Sequence, residues 1–131
     1  MTIPVQSELR AGTANSRQGS AASLAEISSM LQERFPGRGY CLVRDWTVFR
    51  ADLTPQELET IQSHGHRPLF LYAFEVVEDS RGRFQPGDWV RSSMCVSFDD
   101  RAMFETKNTV YVLLGPGSEQ VASLKTIFSF F

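Results

Sequence analysis

The sequence predicts an α+β fold: a curved antiparallel sheet of roughly four to six strands, with two or three helices packed on one face. Three observations lead there. Two segments open with helix-capping signatures, Ser23 with Glu26 and Thr54-Pro55 with Glu57. Several other stretches run or alternate in apolar residues at β spacing. The late strands are joined by turns too short for parallel crossovers, which favours antiparallel pairing. A chain of 131 residues suits one domain.

Residues 1–20 are rich in Gly, Ala, Ser, Thr and Gln, with only Ile3, Val5 and Leu9 as larger aliphatics. Such a segment buries too little to offset its ordering entropy and is expected to be a flexible tail, leaving 21–131 as the domain. The first helix is expected over 23–35. Ser23 caps it, Leu24, Ile27, Met30 and Leu31 share one face, and Pro36-Gly37 stops it. Tyr40 to Phe49 is β-rich, with Asp45 at a bulge or bend. The second helix is expected over 55–64. Thr54 is its cap, Leu53 and Leu58 form a hydrophobic staple, and Gly65 supplies a left-handed stop.

Pro68 to Val77 is expected to be a central strand, because it is apolar on both faces. Asp79-Ser80-Arg81-Gly82 and Gln85-Pro86-Gly87-Asp88 read as turns. Val90, Ser92, Met94, Val96 and Phe98 then alternate with Arg91, Ser93, Cys95 and Ser97, the period of a strand with one buried face. Met103-Phe104 and Thr109 to Leu114 read as further strands, closed by Gly115-Pro116-Gly117. Val121, Leu124, Ile127 and Phe128 fall at helical spacing, so Glu119 to Phe131 is expected to be a third helix. Its Phe130-Phe131 end is suited to docking into the core or a dimer contact.

The balance of 13 basic against 15 acidic residues gives a net charge of −2. That is no footprint for a nucleic-acid binder, which carries a basic face. Arginines gathered with Trp46 or Trp89 would be needed to reverse this expectation. No apolar run approaches the length of a bilayer span, and Met1 to Ser20 has no signal-peptide core. The cytoplasm is therefore the expected compartment, with Cys41 and Cys95 reduced.

Four constellations could carry chemistry. His64-Gly65-His66 with Cys41 or Cys95 could hold a metal, but the ligand spacings of structural zinc sites are missing. Cys41 or Cys95 with His64 or His66 could form a nucleophilic pair, yet cysteines in apolar strands are more often small core hydrophobes. Asp99, Asp100 and Glu105 offer carboxylates, and Asp99-Asp100 reads as turn chemistry. Gly115-Pro116-Gly117-Ser118 lacks the lysine and spacing of a phosphate loop. No metal, cofactor or catalytic residue is expected. Strand alternation does place Arg91, Ser93, Cys95 and Ser97 on one polar sheet face, with Arg81 and Arg83 near in sequence.

Leu53-Thr54, Asp79-Ser80 with Arg83-Phe84, Val90-Arg91-Ser92-Ser93 and above all Phe104 to Gly117 share a family pattern. Through these residues, from Trp46 onward, the chain resembles a small uncharacterised family, a domain of unknown function in proteobacterial and phage-associated proteins. The resemblance implies a small accessory protein carried on mobile elements and assigns no catalytic residue. The function expected from the sequence is non-enzymatic: binding another protein in the manner of an immunity, inhibitor or regulatory factor. Its expected surface is Arg81, Arg83, Arg91, Ser93 and Cys95, and a homodimer is compatible with it. The alternative is a small enzyme or ligand-binding domain using Cys41, His64 and His66.

Overall fold

The computed structural model describes residues 15–130. In order the elements are β1 (Asn15–Gln18), α1 (Leu24–Arg34), β2 (Gly39–Ala51), α2 (Pro55–Ser63), β3 (Leu69–Asp79), β4 (Val90–Arg91), β5 (Ser97–Phe98), β6 (Met103–Glu105), β7 (Thr109–Leu113), β8 (Pro116–Ala122) and α3 (Leu124–Ile127). A turn of 3-10 helix, Phe128–Phe130, follows α3.

β2 is the spine of the sheet. One of its edges pairs antiparallel with β3 along nearly its whole length. Its other edge is divided: Gly39 to Val43 pair in parallel with β7, and Trp46 to Ala51 in parallel with β8. Between the halves stands Asp45, with a left-handed backbone at φ 50°. The left-handed kink at this residue shifts the side-chain alternation of β2 by one. Cys41 and Val43 before it, and Trp46 and Val48 after it, therefore all reach the same core. Asp45 is thus the bend, one of the two forms the sequence suggests, while the register shift against β3 falls between Leu42 and Val43. β7 and β8 part at Gly115, whose φ is 66°. The Trp46 indole N–H donates to the Leu114 carbonyl at 3.2 Å, which fastens the fork.

The sheet also curls on itself. The 87–95 stretch borders β3, with Val76 N donating to Asp88 O at 2.7 Å and Cys95 N to Leu69 O at 2.9 Å. One residue later Val96 N donates to Glu105 O of β6 at 2.8 Å. The same stretch thus meets both ends of the β3–β2–β7–β6 run, which bends the sheet into a half-barrel. The inner core holds Trp46, Leu69, Leu71, Phe104, Tyr111 and both cysteines. Outside, α1 lays Ile27 and Leu31 on Leu42, Val110 and Val112. α3 lays Ile127 on Phe49, Phe70 and Tyr72.

The mixed α and β content agrees with the sequence, but three features differ. Among the described residues the sheet has eight strands and mixes parallel with antiparallel pairs, rather than four to six antiparallel ones. The short-turn rule governs only neighbours in sequence such as β5, β6 and β7, while β2 reaches β7 and β8 across most of the domain. Asn15–Gln18, assigned by composition to a flexible tail, pairs with β8. Gly19 and Ser20 of that tail are held too, Ser20 N donating to Leu113 O at 2.8 Å, while residues 1–14 lie outside the described residues, as do the side chains of Phe130-Phe131. Finally, Pro116–Ala122 is a strand, and the terminal helix shrinks to Leu124–Ile127, capped by Ser123. Helical spacing from Val121 misleads, because Val121 is an exposed strand residue before the cap.

Both capping boxes form as the sequence expects. Ser23 Oγ accepts from Glu26 N and Thr54 Oγ1 from Glu57 N, each at 3.2 Å. α2 buries no side chain, in keeping with a helix that mainly faces solvent.

Candidate functional site

The polar face expected from strand alternation does not assemble. Only Val90–Arg91 and Ser97–Phe98 are strand, and the chain between them passes from β3 to β6. That crossing breaks the period of two. Val90, Cys95 and Phe98 all turn into the inner core, and Cys95 is 0% exposed. Cys95 is therefore no part of an open surface. Ser93 is exposed, but its neighbour Ser92 is buried and accepts from Leu71 N at 2.9 Å.

The arginines also separate. Arg81 lies across the backbone of Gly39. Arg83 is a structural tie. Its guanidinium meets the Asp79 carboxylate at 3.0 and 3.2 Å and donates to Thr109 Oγ1 at 3.1 Å. Burial alone would push the Asp79 carboxyl up, but the hydrogen bonds from Arg83 outweigh it and hold the group below its usual value. Arg91 lies elsewhere, with its guanidinium carbon 4.9 Å from the centroid of the Phe128 ring.

The Cys–His alternative fares no better. Cys41 and Cys95 are both sealed in the inner core. Burial pushes each thiol up to about 12, so neither is a thiolate near neutrality. His64 is exposed at the end of α2, its Nδ1 2.8 Å from the Thr60 carbonyl. Among the described residues, no three His, Cys, Asp or Glu side chains gather in a way that could hold a metal. The thiols give a direct check. Native protein at pH 8 is expected to resist alkylation, and denatured protein to take up label at both cysteines. Rapid labelling of either one in the native state would refute this placement.

The outer face of the sheet carries a row of aromatic rings, in which Phe70 and Tyr72 are buried and Trp89 and Phe128 stand open. Tyr72 of β3 stacks on Trp89 at 5.7 Å with an interplanar angle of 23°. Phe74 meets Tyr72 edge-on at 4.9 Å, and Phe70 meets Phe128 at 5.2 Å. Strand geometry sets this row, because Phe70, Tyr72 and Phe74 alternate outward while Leu69, Leu71 and Ala73 point to the core. The register Tyr72↔Arg91 then brings β4 alongside, with Trp89 just before it. Trp89 is 47% exposed and Phe128 42%. Large rings left this open beside a half-buried arginine have the composition of interface anchors. The only sequence cue to Trp89 is its place directly after a Pro86-Gly87-Asp88 turn. Trp46, by contrast, is buried and unavailable to any ligand.

The architecture defines a mostly β protein built on a curled mixed sheet, with helices on its outer surface. The chain belongs to the DUF6957 family, a domain of unknown function, whose model matches residues 18–129. The match reaches well upstream of Trp46 and takes in α1 and β2. No curated protein and no solved structure matches the chain. Among the described residues, no helix is long and apolar enough to cross a membrane.

Proposed function

We propose that the protein is a non-enzymatic interaction module that binds a partner protein through the exposed rings of Trp89 and Phe128, which rest on the buried Tyr72 and Phe70 of β3. The observation that carries this reading is the half-exposed Trp89 stacked on Tyr72. Tryptophan, tyrosine and arginine dominate the energy of protein interfaces, because rigid rings bury much area at small entropic cost. Two sealed thiols and a histidine at a solvent-facing helix end support binding over nucleophilic catalysis. In this reading the chain acts in the cytoplasm as an immunity, inhibitor or regulatory factor. Carriage on mobile elements of proteobacteria and their phages belongs to the same proposal, as does a second copy of the chain as one candidate partner.

The test is a pull-down from bacterial lysate with the tagged chain and its Trp89→Ser variant. Trp89 stands on the surface, so the variant is expected to fold. A protein retained by the parent and lost with Trp89→Ser is the expected outcome. Equal recovery by both would sink the assignment of this face.

A further inference from the structure

We propose that the cleft between α1 and the 99–103 turn binds a small amphiphilic anion, a molecule with a carboxylate or phosphate head on an apolar body. The cleft measures about 320 Å³, at the lower end of small-ligand pockets. Its floor is apolar, made by Ile27 and Met30 of α1 and Met103 of β6. Two arginines line its walls, Arg34 from the last turn of α1 and Arg101 from the turn.

Among the described residues, the ion pairs engage six other arginines and neither of these two. Arg34 has one other contact, its guanidinium carbon 5.3 Å from the centroid of the Phe35 ring. The two acids of the cleft are both turned to backbone donors. Glu26 Oε1 accepts from Ser23 N at 2.9 Å in the capping box. Asp99 Oδ1 accepts from the N–H groups of Arg101, Ala102 and Met103 at 2.9, 2.8 and 3.0 Å. The cations are thus the groups left to meet a ligand. A guanidinium pairs a carboxylate or phosphate through parallel N–H bonds, while the methionine floor adapts to an apolar chain.

Methionine is also the reporter. In full-length protein labelled at the methionine methyls, Met30 and Met103 line the cleft, whereas Met94 packs against the separate cluster that holds Phe49, Phe70 and Ile127. Octanoate, octyl phosphate and octanol are titrated separately. Octanoate or octyl phosphate is expected to shift Met30 and Met103 saturably and leave Met94 in place, with octanol clearly weaker. The tighter of the two anions assigns the head group. Arg34→Ala with Arg101→Ala is expected to weaken that binding about tenfold. An unmoved Met94 signal reports that the double variant is folded, and Arg101→Ala alone repeats the test with a smaller change. The proposal is overturned if neither anion moves the two methyls, if octanol matches them, if Met94 moves equally, or if the double variant binds as tightly as the parent.

Discussion

Replacing Gly117 with alanine is expected to destabilise the protein by about 3 kcal/mol, through overpacking and a lost buried hydrogen bond. Gly117 of β8 lies in parallel register with Trp46 of β2, and the indole ring covers its Cα. A Cβ there would fall among Cδ2, Cε2 and Cε3 of the ring. Trp46 cannot retreat cheaply, being 2% exposed, packed in the inner core and bonded to Leu114 O at 3.2 Å. Yielding to the methyl means leaving that bond and opening the fork between β7 and β8. Gly39 supplies the control. A Cβ at Gly39 meets the guanidinium end of Arg81, which can swing aside. Although Gly39 is buried, Gly39→Ala is expected to cost no more than about 1 kcal/mol, because the atoms in its way are the end of a flexible side chain. Urea unfolding of the two variants against the parent checks both figures, and equal midpoints would refute the role given to Trp46.

Asp79→Ala is expected to cost about 1–3 kcal/mol, the range for leaving hydrogen-bond donors without their acceptor. The Asp79 side chain is 0% exposed. It accepts from Arg83 N at 2.7 Å and Phe84 N at 3.3 Å in addition to the guanidinium. Through Arg83 and Thr109 it ties the end of β3 to the start of β7, where Phe84 packs against the inner core. Without the carboxylate, two backbone donors and a guanidinium lose their acceptor together. The pH dependence follows from the lowered carboxyl pKa. A group depressed on folding stabilises the native state fully above its unfolded pKa, about 4 for aspartate. That contribution fades as pH falls through the folded value. The gap in stability between the parent and Asp79→Asn is therefore expected to be largest near pH 7 and to narrow below about pH 4. A gap that stays constant down to pH 2 would contradict the pairing.

Local chemistry was legible in the sequence, and long-range pairing was not. Ser23 with Glu26 and Thr54 with Glu57 mark α1 and α2 because capping boxes close within one helical turn. The two-sided apolar pattern of β3 identifies a strand with cores on both faces, as Leu71 and Phe70 show. Nothing local announces that β2 takes β7 and then β8 on one edge, since that depends on a fork set by Asp45, Gly115 and Trp46. The binding surface suffered most. Arg91, Ser93 and Cys95 share a face only if 90–98 is one strand, and the hand-over from β3 to β6 turns Cys95 inward. Arg83 read as an exposed cation, although its sequence neighbour Asp79 holds it in the structure. Tyr72 and Trp89 become partners only once β4 lies beside β3.

Calorimetric titration of the recovered partner against three versions of the chain separates the aromatic row from the arginine surface. Trp89→Ser is expected to weaken binding by about 30-fold, the loss of one interface hot spot. Arg81→Glu, against Gly39 at the start of β2 and outside the row, is expected to change it less than about threefold, as rim charges do. Strong weakening by Arg81→Glu with Trp89→Ser unchanged would contradict the account and return the site to the arginines.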